Sequence, residues 1–193
     1  MGRTYSTSFL GVVRLLSWFR ELNMKPTFDS KYGFHAIYPP CDDMVLKSFE
    51  RTLLGGELPE DYRDFLLQWN GGNFEAFKSI AFPLADDWLD DDYGYIDHLA
   101  GLFDESNELD LRNSSSAYGF RAAVPASYIS IGDYGDWNQV CISVQGNDVG
   151  AVYYWQPGEP WPKEKAPTTR ALRPVAKCFS EFWNLLFEEA DEL

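Results

Sequence analysis

The chain has 193 residues, 30 of them acidic and 16 basic, for a net charge of -14. That excess repels phosphate backbones, which argues against direct nucleic-acid binding, and it attracts a basic protein partner instead. A content of 45% hydrophobic and 17% aromatic residues excludes a disordered chain and suffices for one domain with a real core. Residues 1–40 read as an N-terminal helix and a connector. Phe9, Val12, Val13, Leu16 and Phe19 recur at helical spacing, while Arg14 and Arg20 interrupt the apolar run. The run is too short and too charged for a membrane span, and no small-residue cleavage site makes it a signal peptide. An amphipathic helix packed on the domain is expected. Pro26, Gly33, Pro39 and Pro40 mark the connector, with an extended piece over Phe34 to Tyr38. Asp42 and Asp43 offer an N-cap for a helix running to about Leu54, with Val45, Leu46, Phe49, Leu53 and Leu54 as its apolar face.

The next helix has both ends marked. Pro59 fits a first turn, Glu60, Asp61 and Asp64 suit the positive end of the dipole, and Asn70-Gly71-Gly72 supplies a left-handed stop. Tyr62, Phe65, Leu66 and Trp69 share one face, at spacings of three and four. Phe74 to Phe82 reads as a strand closed by Pro83. From Ser79 to Leu111 there is no Lys or Arg, but there are Asp86, Asp87, Asp90, Asp91, Asp92, Asp97, Asp104, Glu105, Glu108 and Asp110. A short helix is expected near Ile96 to Phe103, and a polar loop over Asn113 to Ser116. Tyr128 to Asp133, Gln139 to Gln145 and Val149 to Trp155 read as strands of an antiparallel meander, with Gly146-Asn147-Asp148 as a hairpin turn. A loop over 157–172 follows. Pro174 opens a last helix, with Val175, Cys178, Phe179, Phe182, Leu185 and Leu186 as its apolar face. Its acidic end, Glu188, Glu189 and Asp191, opposes the dipole and predicts fraying.

The order Leu58-Pro59-x-Asp61-Tyr62-x-x-Phe65-Leu66-x-x-x-Asn70-Gly71-Gly72 resembles the signature of the SUKH superfamily, the Smi/Knr cell-wall-regulator group with its many bacterial relatives. A second stretch is similar to that family's other signature: Ile131-Gly132-Asp133, then Val140-Cys141-Ile142-Ser143-Val144, then Gly150-Ala151-Val152-Tyr153-Tyr154-Trp155. Glu50 stands where the family places a Glu ahead of the Leu-Pro motif, and Phe179 with Phe182 matches its closing Phe-x-x-Phe. Trp137, and Gln156-Pro157-Gly158 after Trp155, depart from the pattern. The resemblance spans about residues 42–187 and places a SUKH-like domain at 41–190. It implies a single α+β domain, a mainly antiparallel sheet with helices packed on one face. It also implies a non-enzymatic immunity protein that neutralises a cognate bacterial toxin by direct binding in the cytoplasm.

The residues advertise little catalysis. No nucleophile elbow, phosphate loop or HExxH is present. Gly132-Asp133-Tyr134-Gly135-Asp136 sets two carboxylates beside its glycines and so reads as a turn rather than a phosphate loop. Asp90, Asp92 and Asp97 lack EF-hand spacing and read as solvated, so neither a metal nor a cofactor is expected. Cys41, Cys141 and Cys178 are odd in number and widely spaced, which excludes a disulfide framework and fits a reducing compartment. Asp86, Asp87, Trp88, Asp90, Asp91, Asp92, Tyr93 and Asp97 interleave carboxylates with aromatic rings. Carboxylates steer a basic partner and aromatics anchor an interface. Asp133, Asp136 and Trp137, in a glycine-flanked turn, are further partner-binding candidates. The rival reading is a carbohydrate or cell-wall-associated module, since aromatics beside carboxylates also stack on sugars.

Overall fold

The computed structural model describes residues 26–76, 78–84, 92–107, 109–116, 120–135, 138–156 and 168–189. The expected N-terminal helix therefore lies outside the described residues, as do Asp86, Asp87, Trp88, Asp90, Asp91, Asp136 and Trp137. Helix α1 spans Asp43–Glu50, and Asp42 caps it by accepting the Met44 amide at 2.7 Å. It is shorter than the apolar pattern suggested. Leu46 and Phe49 are buried, but Val45 and Leu54 are exposed, because residues 51–54 form turns rather than a further helical turn. Helix α2 spans Glu60–Gln68 and buries Tyr62, Phe65 and Leu66.

Strands β1 (Gly72–Asn73), β2 (Ile80–Pro83), β3 (Tyr93–Tyr95) and β4 (His98–Leu99) follow. Of the strand expected over 74–82 only the end forms, as β2; residues 74–76 and 78–79 carry no strand pairing, and β1 precedes them in the other sheet. The helix expected near Ile96 to Phe103 is replaced by strand pairing. Ile96, Leu99 and Ala100 are buried, and the Asp97 and Ala100 amides donate to the carbonyls of Asp133 and Ile131. Helices α3 (Leu111–Ser114) and α4 (Phe120–Ala123) are one turn each. The first takes in Asn113 and Ser114 of the loop expected over 113–116, and Asp110 caps it.

Strands β5 (Tyr128–Tyr134), β6 (Asn138–Ser143) and β7 (Val152–Trp155) form the expected meander. Strand β8 (Leu172–Ala176) extends it, so Pro174 sits in an edge strand, where a missing amide is tolerated, and not at a helix start. Helix α5 is Phe179–Leu185, and β9 is Phe187–Glu188. The acidic end does not fray as helix. Leu186 turns the backbone extended, Glu188 pairs with Ile80 of β2, and Lys78 meets its carboxylate at 3.1 Å. Lys31 and Tyr32 donate to the Trp183 and Leu186 carbonyls, each at 3.0 Å, so the orphan end of α5 is satisfied from the connector.

Every pairing between these described strands is antiparallel. The larger sheet has the order β1-β4-β5-β6-β7-β8 and the smaller one β3-β2-β9. Alternation along the strands sorts the core. Ile129, Ile131, Val140, Ile142, Val152 and Tyr154 meet Leu46, Phe65, Phe179 and Trp183 in the main cluster, so α1, α2 and α5 share one face of the sheet. Cys141, Tyr128, Trp155 and Leu172 point the other way and meet Phe120 in a small second cluster.

The signature around α2 is explained by packing. Leu58, Tyr62, Phe65 and Leu66 are core. The Asp61 carboxylate accepts the Ser180 amide at 2.7 Å, capping α5 across the helix pair. Asn70 takes φ +55 at the helix end. Its side chain donates to the carbonyls of Pro39 at 3.0 Å and Leu102 at 3.1 Å, and it accepts the Leu102 amide at 2.7 Å. Gly71, at φ +78, lies so close to strand β4 that a Cβ would sit 2.6 Å from the Leu99 carbonyl oxygen.

Candidate protein-binding surface

Asp92, Tyr93, Asp97 and Asp133 fall where β3, β4 and the end of β5 meet. Asp97 and Asp133 are brought together: the Asp97 amide donates to the Asp133 carbonyl at 2.9 Å, and an Asp97 carboxylate oxygen accepts the Gly135 amide at 3.2 Å. Asp97 is exposed and Asp133 half-buried. Asp92 lies at the far end of β3, where its carbonyl accepts the Leu84 amide. The Tyr93 ring is 42% exposed and packs edge-on against Phe187, with centroids 5.3 Å apart.

Tyr95, an aromatic residue of the acidic run, lies on this face together with Tyr134, Glu75, Lys78, Glu188 and Glu189, which the sequence reading did not assign to it. The Tyr95 ring lies 5.2 Å from that of Tyr134, and its hydroxyl donates to Glu189 at 2.8 Å. Glu188 and Glu75 flank Lys78, which pairs with both. Those two carboxylates hold the Lys78 ammonium above the ordinary lysine range. Among the described residues of the patch, Lys78 is thus the one cation against Glu75, Asp92, Asp97, Asp133, Glu188 and Glu189. Glu188 and Glu189 reach this face because β9 pairs with β2, more than a hundred residues away in the chain, a contact that no local pattern announces.

One acid of the run is not surface at all. Asp110 is fully buried. It accepts the amides of Phe103, Asp104 and Arg112 and pairs with the Arg112 guanidinium at 2.6 Å. Phe103 stacks on Tyr38, with centroids 3.5 Å apart, and so braces a loop rather than standing free as an anchor.

The face includes an open depression of about 310 Å³, lined by Asn73, Phe74, Glu75, Lys78, Asp97 and His98 among others. His98 is 9% exposed, and its Nδ1 lies 3.0 Å from the Asp133 carboxylate. No serine, threonine or cysteine is among the described residues lining it, so this Asp-His pair has no neighbouring nucleophile. No group of three or more metal-ligating side chains is assembled among the described residues. None of their helices is long and apolar enough to cross a membrane.

A family model described as SMI1 / KNR4 family (SUKH-1) matches residues 40–185. The chain belongs to the SUKH-1 family. Among curated proteins, this SUKH-1 chain is similar to the SPbeta prophage-derived uncharacterized protein YokK of Bacillus subtilis (strain 168). The two are 26% identical over 158 residues, covering 76% of this chain and 75% of the relative. The family match takes in α1 through α5, the elements that carry both sequence signatures.

Proposed function

We propose that this SUKH-1 protein is a non-enzymatic immunity protein that binds a basic cognate bacterial toxin domain in the cytoplasm and occludes its active site. The observation that carries the reading is the carboxylate and tyrosine face built by β3, β4, β9 and the end of β5. A toxin that acts on nucleic acid must hold phosphate, so its active site is basic. Clustered carboxylates steer such a surface into register, while half-exposed tyrosines supply contact area at small entropic cost. The face joins segments distant in sequence yet is held rigidly by strand pairing, which suits a pre-organised interface. The prophage origin of the Bacillus relative supports the same setting of conflict between genetic elements.

The test is capture with the tagged full chain from its host lysate at low and high salt, followed by expression of the captured protein alone and together with this chain. One basic, stoichiometric partner is expected, released by salt, toxic alone and harmless in co-expression. A captured partner that is not toxic, or whose toxicity persists in co-expression, sinks the reading. Saturable binding to a glycan array without any such partner would move the tyrosine face to the carbohydrate reading.

A further inference from the structure

A thread of polar groups runs beside the small second cluster, on the sheet face opposite α1, α2 and α5. It starts at a bulge of β5, where the pairing with β6 shifts register between Ser130 and Gly132. Ser114 Oγ donates to the Ser130 carbonyl at 2.7 Å, and Ser115 Oγ accepts the Ser130 amide at 2.8 Å. The end of α3 is thus fastened to the sheet at that bulge. The Ser130 hydroxyl donates in turn to Gln139 Oε1. Gln139 stands opposite Trp155 in the β6–β7 ladder, so the two side chains share a face. Gln139 is 1% exposed and Trp155 0%. Among the described residues, neither Gln139 Nε2 nor Trp155 Nε1 has an acceptor. A buried donor that gives up its hydration without a new partner is costly, and native proteins leave few of them. Trp183 Nε1 also lacks an acceptor, but its ring lies 5.1–5.9 Å from those of Phe28, Phe34 and Phe65, whose π faces accept N–H weakly. Gln139 and Trp155 are instead two donors set side by side by strand pairing.

We propose that Gln139 and Trp155 hold one internal water molecule between the sheet and its outer layer. The chemistry of the pair selects that ligand. Two neutral N–H donors match the two lone pairs of a neutral oxygen, whereas a buried anion asks for a cation beside it. The Ser130 hydroxyl, whose proton goes to Gln139, retains lone pairs for a proton of the water. Internal waters of this kind make about three hydrogen bonds and belong to the fold as much as a side chain does. The water closes a polar thread from Ser115 through Ser130 and Gln139 to Trp155, which crosses β5, β6 and β7 beneath the one-turn helices. The rival arrangement is a Gln139 amide turned over, with its oxygen taking the indole N–H directly. The two differ in whether water touches the indole.

The test is water-selective NOE and ROE NMR of the isotope-labelled full chain, read at the Trp155 indole proton and the Gln139 side-chain amide. The Trp155 signal is the indole signal that Trp155→Phe removes. Water cross peaks of opposite sign in the NOE and ROE spectra are expected at both groups. That sign pattern marks a water that stays longer than the protein takes to tumble, and it separates contact from proton exchange. Gln139→Leu should keep the indole signal and abolish its water peak. Gln139→Met, which keeps the chain length without the amide, replaces it should the leucine variant not fold. Trp155→Phe should abolish the water peak at the Gln139 amide. A wild-type indole with no water peak, whose proton moves upfield in Gln139→Leu, is the direct bond and overturns the water. Peaks of one sign in both spectra, or none at either group, overturn it as well. A water peak at Trp155 that survives both Gln139 variants overturns the shared site.

Discussion

Asn70 is the residue on which the connector, helix α2 and the loop after β4 converge. Its left-handed backbone ends the helix, and its side chain makes three bonds to Pro39 and Leu102. Asn70→Ala loses those bonds and strains the backbone, so it should cost about 3–5 kcal/mol in urea unfolding. Asn70→Gly keeps the conformation and should recover about 1 kcal/mol of that loss; equal losses would show that the left-handed backbone contributes nothing. Asp110 organises the neighbouring loop by similar means. Burial works against its charged form, but the Arg112 guanidinium and the amides of Phe103 and Arg112 outweigh burial and hold the carboxyl below the ordinary carboxylate range. A depressed folded pKa contributes stability that is present above the unfolded value, about 3.9, and is lost as pH falls through the folded value. Asp110→Asn should therefore cost about 3 kcal/mol at pH 7. The gap between variant and wild type should narrow as denaturation is repeated at lower pH. A gap independent of pH would mean that the carboxylate charge does not hold the loop.

At the level of elements, α1 and α2 are joined by Arg63, which pairs with Glu50 at 2.5 Å and also with Asp43. Glu50 is buried and accepts the Leu58 amide at 3.2 Å as well, so the Glu ahead of the Leu-Pro motif ties the end of α1 to the entry of α2. Glu50→Gln keeps an acceptor for that amide and should cost about 1–2 kcal/mol, whereas Glu50→Leu strands both the amide and Arg63 and should cost about 3 kcal/mol or more. Chemical denaturation separates the two, and equal costs would reduce Glu50 to a space-filler. Elements with local punctuation were legible in the sequence. Asp42 marked the start of α1, Asn70-Gly71 the end of α2, and strand alternation the meander from β5 to β7. Elements made by distant pairing were not. Residues 96–103 carry apolar spacing that fits a helix turn, yet the backbone of Asp97 and Ala100 is claimed by β5. Pro174 is equally at home opening a helix or sitting on a sheet edge, and only β7 decides between them. The end of α5 was legible as electrostatically poor, but not as the start of β9.

For the whole molecule, the net charge of -14 is unevenly used. Part of it is structural, as at Asp61, Asp110 and Glu50, and only the remainder can act on a partner. The sequence marked the acidic run but could not separate these classes, because burial depends on tertiary neighbours. It also missed Glu188 and Glu189, which fold back onto the face, and His98, whose meaning depends on Asp133 across the ladder. Charge acting at a distance should appear chiefly in the association rate, and local contacts in the dissociation rate. Asp92 and Asp97 are both exposed, so the double variant Asp92→Lys with Asp97→Lys should keep its thermal midpoint. At low salt its association with the basic partner should slow by about 10- to 100-fold, and the dependence of that rate on ionic strength should flatten. Stopped-flow kinetics over a salt series measures both. A rate and a salt slope matching wild type would place the partner elsewhere on the molecule. A faster dissociation with an unchanged salt slope would retain the contact and remove the steering.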